Sequence, residues 1–305
     1  MQLRYIDYTD FDHLVNTLHQ DYKPLSHKMK KLEESVKRAY GTIKKKADWN
    51  HITWECPVSK NIWKIHYIHH FNPEKNRIEI DLYPFTEFVS HRGEKVYLLL
   101  SKLDRLSVTG SNFSKVQKVA NSDSLNNFGD FLVKNNLYLT LFRGHFVDRF
   151  RLRTTEHKND TVFEVMFSFS TSPRMLQVKN YQDKHEWLMV LHLEGVAMTR
   201  QGDNYILYDT FLSRSELRPQ QLAAIKNYLD SLNDFTYGVI VFLIVWRETW
   251  LDIIDKDKLL RHLLEVAKTN QRIAKSHIEI CMPALTKLWG ESFLEMFPFV
   301  DKPSV

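Results

Sequence analysis

Cysteine is scarce in this chain of 305 residues: it has only Cys56 and Cys281, far apart and without CxxC spacing. That pattern indicates neither a zinc site nor a disulfide framework. The histidines of the HYIHH stretch, His66, His69 and His70, have no nearby carboxylate and would not share one strand face. Glycine is also rare, with nine residues, which argues against glycine-rich cofactor loops. We therefore expect no metal and no cofactor, in a reducing compartment such as the cytoplasm.

Long apolar runs are missing as well. The best candidate for a membrane span, Val239–Trp246, is followed at once by Arg247 and Glu248. It is far shorter than the roughly 20 residues that a bilayer requires. The N-terminus carries acidic residues where a signal peptide needs a basic flank and an apolar core. We therefore expect a soluble protein without a membrane partner.

Neither charge sign dominates strongly, because 42 Lys and Arg stand against 37 Asp and Glu, a net charge of +5. This excess is compatible with an anionic partner but does not demand one. It is concentrated in residues 22–46, a predicted helical region. The candidates for contacts with a nucleic-acid backbone there are Lys30, Lys31, Lys37, Arg38, Lys44, Lys45 and Lys46. The alternative is that this run is simply the solvated face of a helix.

The apolar periodicity predicts an α+β protein: an antiparallel sheet with packed helices, plus a C-terminal helical bundle. We expect a basic helical hairpin over 1–48, because Pro24 interrupts the helical pattern. An antiparallel α+β core follows over 49–212, with a loop and short helix inserted at 107–136. The bundle occupies 213–305, with helices predicted at 236–253, 256–275 and 278–297.

One constellation has the pattern of a catalytic site. The strand-like run Leu137–Phe142 ends at Arg143–Gly144, and a predicted helix then carries His145, Arg149 and Arg153 at intervals of four. Residues at this spacing project from similar sides of a helix. His145 falls in the first turn, where free N–H groups and the positive dipole end favour an anion and a neutral imidazole.

Such a set suits cleavage of RNA without a metal. A neutral histidine can take a proton from the 2′-hydroxyl, and guanidinium groups can hold the charge that develops on the phosphate. The alternative is structural. Phe146 and Phe150 are expected to pin the helix to a core, and the arginines would then be its solvated face, with Asp148 and Glu156 as possible ion-pair partners.

The stretch H-F-x-x-R-F-x-x-R after a strand-ending turn resembles the His-x-x-x-Arg-x-x-x-Arg signature of toxin-like ribonucleases with the RelE/barnase-like fold. The downstream stretch GVAMTRQGDNYILYDTFL resembles that group's late hairpin, which would place Thr210 at the late-strand position. The resemblance covers about 137–213. It implies helices packed on an antiparallel sheet, a catalytic histidine and arginine on the helix, and RNA as substrate.

Two functions follow from these observations. The first is a metal-independent ribonuclease-like protein of a toxin or defence setting. His145 would be the general base or acid, Arg149 and Arg153 a phosphate clamp, and Thr210 an orienting hydroxyl. The second is a non-catalytic module that binds nucleic acid through the lysine helix or a protein partner through the C-terminal helices.

Overall fold

The structure is a computed structural model. It describes residues 8–40, 49–72, 77–102, 137–170, 175–178, 187–201, 205–233, 237–238, 241 and 250–300. They form a mixed α+β protein with a mostly antiparallel sheet, as predicted. Within these ranges no helix is both long enough and apolar enough to cross a bilayer. The predicted insertion at 107–136 lies outside them.

The chain divides into two compact units. The first contains Met1–Asp148, Asp160–Pro173 and Arg200–Thr210, and the second contains Arg149–Asn159, Arg174–Thr199 and Phe211–Val305. The units interleave along the sequence because two late strands contribute residues to both units. The division into three consecutive domains, 1–48, 49–212 and 213–305, stays a prediction.

The first unit begins with one long helix, α1 (Tyr8–Tyr40), instead of the predicted helical hairpin. Pro24 lies inside it and removes one backbone hydrogen bond. The helix continues because its apolar stripe, including Leu14, Leu18 and Leu25, is almost fully buried. Burying such side chains stabilises the fold by about 1.5–3 kcal/mol each, which outweighs the roughly 3 kcal/mol cost of an interior proline.

Four antiparallel strands follow, and the predicted meander is confirmed. They are β1 (Trp49–Glu55), β2 (Ile62–Asn72), β3 (Arg77–Val89) and β4 (Lys95–Lys102). Their apolar positions alternate between the two sheet faces. One face packs with α1 in a core that includes Trp63, Ile65 and Leu98, all fully buried.

The first unit is completed by β5 (Leu137–Arg143), the first half of α2 (Gly144–Arg153) and α3 (Val162–Ser170). β5 pairs antiparallel with β4 and parallel with β9 (Tyr205–Ser213), so the unit's strand order is β1-β2-β3-β4-β5-β9. The parallel pair was not predicted. It arises because β9 reaches β5 after an excursion of the chain through other elements, whereas a short turn would have made the pair antiparallel.

In the second unit the strand order is β9-β8-β7-β6. The strands added here are β6 (Met175–Val178), β7 (Trp187–His192) and β8 (Gly195–Gln201). Strands β7, β8 and β9 match the predictions, and β6 was missed. Gly195 is required at the hairpin turn, because a Cβ there would lie 2.1 Å from the carbonyl oxygen of Leu212.

The helices of the second unit are α4 (Pro219–Ser231), α5 (Lys256–Thr269) and α6 (Gln271–Trp289), with short 3-10 helices at Arg214–Glu216, Leu251–Ile253 and Glu291–Met296. The break between α5 and α6 falls at Asn270 and not near 275–278 as predicted. Asn270 caps α6, since its side chain accepts a hydrogen bond from the Ile273 N–H at 3.1 Å. Most of the predicted helix 236–253 lies outside the described residues.

Candidate functional site on helix α2

Helix α2 begins directly after strand β5, as predicted. Gly144 allows the close approach of chain segments at this junction, because a Cβ on it would lie 3.2 Å from both Cβ and the carbonyl oxygen of Lys95. A larger residue would have to displace the start of β4. The glycine therefore fixes where the helix starts relative to the sheet of the first unit.

Two buried phenylalanines anchor α2, and the prediction that both are core residues is confirmed. In the first unit, the ring of Phe146 lies 5.7 Å from Phe142 and 5.4 Å from Tyr208. In the second unit, the ring of Phe150 lies 5.0 Å from both His192 and Phe211. Each phenylalanine thus packs against aromatic rings of the unit to which it belongs.

His145 and Arg149 lie on the outer side of this anchored helix. His145, the second residue of α2, is exposed, and Arg149, one turn later, is half-buried. No carboxylate of the described residues forms an ion pair with Arg149, including the neighbouring Asp148. The exposed imidazole thus lies in the first turn of the helix, and the half-buried guanidinium follows it one turn later.

Arg153 is engaged within the protein. Its Nη2 lies 2.5 Å from Oε1 of Glu216, and its Nη1 donates a hydrogen bond to the carbonyl oxygen of Phe211. Burial lowers the pKa of Arg153, as does the charge of Arg149, while Glu216 raises it. A phosphate would have to compete with Glu216 for this guanidinium.

Thr210 is half-buried near the end of β9. Strand alternation gives it the same sheet face as Tyr208, whose ring contacts Phe146 of α2 in the first unit. The predicted catalytic threonine is therefore on the face of the sheet that carries the helix. Whether its hydroxyl acts with His145 stays a prediction.

A buried ionic network that was not predicted lies at the end of β5. Arg143 forms ion pairs with Asp209 at 2.9 Å and with Glu94 at 3.0 Å. Asp209 also pairs with Arg200 at 3.0 Å. The two arginine side chains are only 7% and 9% exposed.

The signal for this network was present in the strand alternation. Arg143 is in phase with the buried Leu139 and Leu141 of β5, and Asp209 is in phase with the buried Leu207 of β9. Opposite charges at inward positions of neighbouring strands indicate a buried pair. The network fixes the backbone immediately before Gly144.

The basic positions of α1 fall into two groups. Lys30 and Lys31 are exposed. Lys37 lies 2.5 Å from Glu33, and Arg38 donates to the carbonyl oxygen of Glu34 at 3.3 Å. The remaining candidates, Lys44, Lys45 and Lys46, lie outside the described residues.

Both cysteines are buried and free of disulfides, and the described residues contain no group of three or more His, Cys, Asp or Glu arranged to hold a metal ion.

No known relative guides the assignment. Comparisons with protein-family models, curated proteins and solved structures give no match. The function must therefore be inferred from the residues of this chain.

Proposed function

We propose that the protein is a metal-independent ribonuclease-like enzyme that acts on RNA through His145 and Arg149. The observation that carries this proposal is the exposed histidine in the first turn of α2, followed one turn later by a half-exposed arginine without a carboxylate partner among the described residues. Phe146 follows His145 directly and Phe150 follows Arg149 directly, and both phenylalanines are fully buried, which supports the positioning that catalysis needs.

In the proposed reaction the neutral imidazole of His145 accepts the proton of a ribose 2′-hydroxyl. The 2′-oxygen then attacks the adjacent phosphorus, and the bond from phosphorus to the 5′-oxygen breaks. The products are a 2′,3′-cyclic phosphate and a 5′-hydroxyl, whose proton returns from the imidazolium. Arg149 stabilises the charge on the non-bridging phosphate oxygens, Arg153 extends this clamp, and Thr210 orients the phosphate.

The proposed setting is a toxin or defence system of the cytoplasm. Two buried free cysteines suit a reducing compartment. In this proposal the C-terminal helices form the bundle predicted for 213–305 and support the second unit, in which α5 and α6 share one core through residues such as Leu263 and Ile278.

The test is RNA cleavage by the purified protein in EDTA, compared with His145→Ala and Arg149→Ala variants. Matched controls are His91→Ala and Arg92→Ala, which change exposed residues of the β3–β4 turn. Loss of a general base or of a charge-stabilising donor is expected to slow cleavage by about 10²–10⁴-fold. Equal cleavage by all five proteins, or none by the parent, would overturn the proposal.

A second candidate function is non-catalytic binding of nucleic acid, favoured by the exposed Lys30 and Lys31 on α1. Binding of this kind would weaken steeply with salt, because each phosphate contact releases counterions. It would survive His145→Ala and decline when Lys30 and Lys31 are both changed to Gln. In the other form of this alternative, the exposed Ile273 and Ile280 of α6 contact a protein partner.

A further inference from the structure

A column of stacked rings crosses one sheet face of the first unit. The ring of Phe163, on α3, lies 3.6 Å from the ring of His66 with an interplanar angle of 10°. His66 in turn stacks on His51 at 5.1 Å and 20°. The three rings are thus nearly parallel, and they come from α3, β2 and β1 respectively.

Burial decreases along this column from one end to the other. Phe163 is 5% exposed and is supported by Phe85, whose ring lies 6.0 Å away. His66 is partly buried, and His51 is exposed on β1, the terminal strand of the sheet order. A rigid column of parallel rings therefore ends in an imidazole at the protein surface.

Charge beside the column favours an anion. Lys64 is exposed on the same sheet face as His66, two residues away, and its ammonium lies 5.9 Å from the Phe85 ring. The carboxylate of Glu164 acts on His66 in the opposite sense, and it accepts a hydrogen bond from the Thr161 N–H at 2.6 Å. The exposed Lys64 therefore adds positive charge beside the column.

The middle ring of the column is uncharged at neutral pH. Burial, together with the nearby His51 and Lys64, lowers the pKa of His66 to about 4, against a smaller opposing effect of Glu164. A neutral imidazole offers a π face that stacks on a flat aromatic ring without the hydration of a cation.

We propose that the exposed ring of His51 is a stacking site for one unpaired base of single-stranded RNA, with Lys64 contacting the adjoining phosphate. A nucleotide has both groups that this site would bind. Its planar base can stack on the His51 ring, and its phosphate can form an ion pair with the Lys64 ammonium. This inference deepens the proposed function and rests on it in part, since it identifies single-stranded RNA as the substrate class.

The test uses fluorescence anisotropy with two labelled 2′-O-methyl dodecamers, one of uridine and one abasic. The methyl groups prevent cleavage, and both oligomers carry the same phosphates. The parent protein is expected to bind the uridine oligomer about tenfold more tightly than the abasic one, as base stacking on an aromatic side chain commonly provides. His51→Ala should remove this preference, His51→Tyr should keep it, and His91→Ala is the matched control.

Lys64→Ala is expected to weaken binding of both oligomers equally and to lower the salt slope by about 0.7. The inference is overturned if the parent binds both oligomers equally, or if His51→Ala keeps the preference with an unchanged unfolding midpoint. If the protein prefers the uridine oligomer but does not cleave RNA, the proposed ribonuclease function is refuted and the stacking site is supported. If cleavage depends on His145 but the protein has no preference for the uridine oligomer, the stacking site is refuted and the ribonuclease function is supported.

Discussion

Replacing Asp209 by Asn should destabilise the first unit more than any other single charge change in the ionic network. The carboxylate pairs with Arg143 at 2.9 Å and Arg200 at 3.0 Å, and both guanidinium groups are more than nine-tenths buried. Removing one partner of a buried ion pair costs about 3–5 kcal/mol, because the remaining charge stays out of water. An amide cannot supply the negative charge that both arginines require.

The loss of stability expected for Asp209→Asn can be compared with that of two other substitutions that each remove a carboxylate. Glu94→Gln removes the other carboxylate near Arg143, but this side chain is 34% exposed, so water replaces part of the interaction and the cost should be about 1 kcal/mol. Glu55→Gln removes a surface pair with Lys60, whose side chains are 59% and 71% exposed. That change should cost well under 1 kcal/mol at ordinary salt concentrations.

The assay is urea unfolding followed by circular dichroism, together with amide hydrogen exchange of β5 and β9. Asp209→Asn should lower the free energy of unfolding by about 3–5 kcal/mol and speed exchange at both strands, whereas the two glutamate variants should not. A cost below 1 kcal/mol for Asp209→Asn, or an equal cost for Glu94→Gln, would refute the argument from burial.

Two further predictions concern the two arginines of α2 and the pH dependence of stability. Arg153→Ala should destabilise the protein by about 1–3 kcal/mol, since it breaks the contacts with Glu216 and Phe211. Arg149→Ala should cost under about 1 kcal/mol while slowing cleavage. Thermal unfolding of the two variants checks the contrast, and equal losses would contradict it. His66 should make stability depend on pH, because its pKa of about 4 lies below the ordinary 6.5. The unfolded chain binds more protons between these values, so a contribution present above pH 6.5 is lost as the pH falls towards 4. With allowance for solvent screening the loss is about 1–2 kcal/mol. Urea unfolding at pH 7 and 4.5 should show a smaller difference for His66→Phe, and an identical difference would contradict the assignment.

The local pattern of the sequence was enough to predict most elements of the fold. Period-two alternation predicted β1–β4, and the apolar run before Gly144 predicted β5, because both follow from side-chain geometry within one strand. The spacing of Phe146 and Phe150 was enough to predict that both would be buried on α2, since residues four apart share a helix face.

Propensity failed where packing outweighed it. Pro24 predicted a break, yet α1 continues through it because its buried stripe gains more than the proline costs. Helix α5 ends and helix α6 begins at Asn270, because the Asn270 side chain caps the first turn of α6.

By itself, then, the sequence determined most of the strands, the position of α2 and the spacing of His145 and Arg149 that the proposed chemistry uses. Only the tertiary structure decided which charges are buried and which rings stack. Arg143, Arg200 and Asp209 come from three strands, and Phe163, His66 and His51 come from a helix and two more strands. Their pairing depends on strand order and register, which no local pattern in one segment contains.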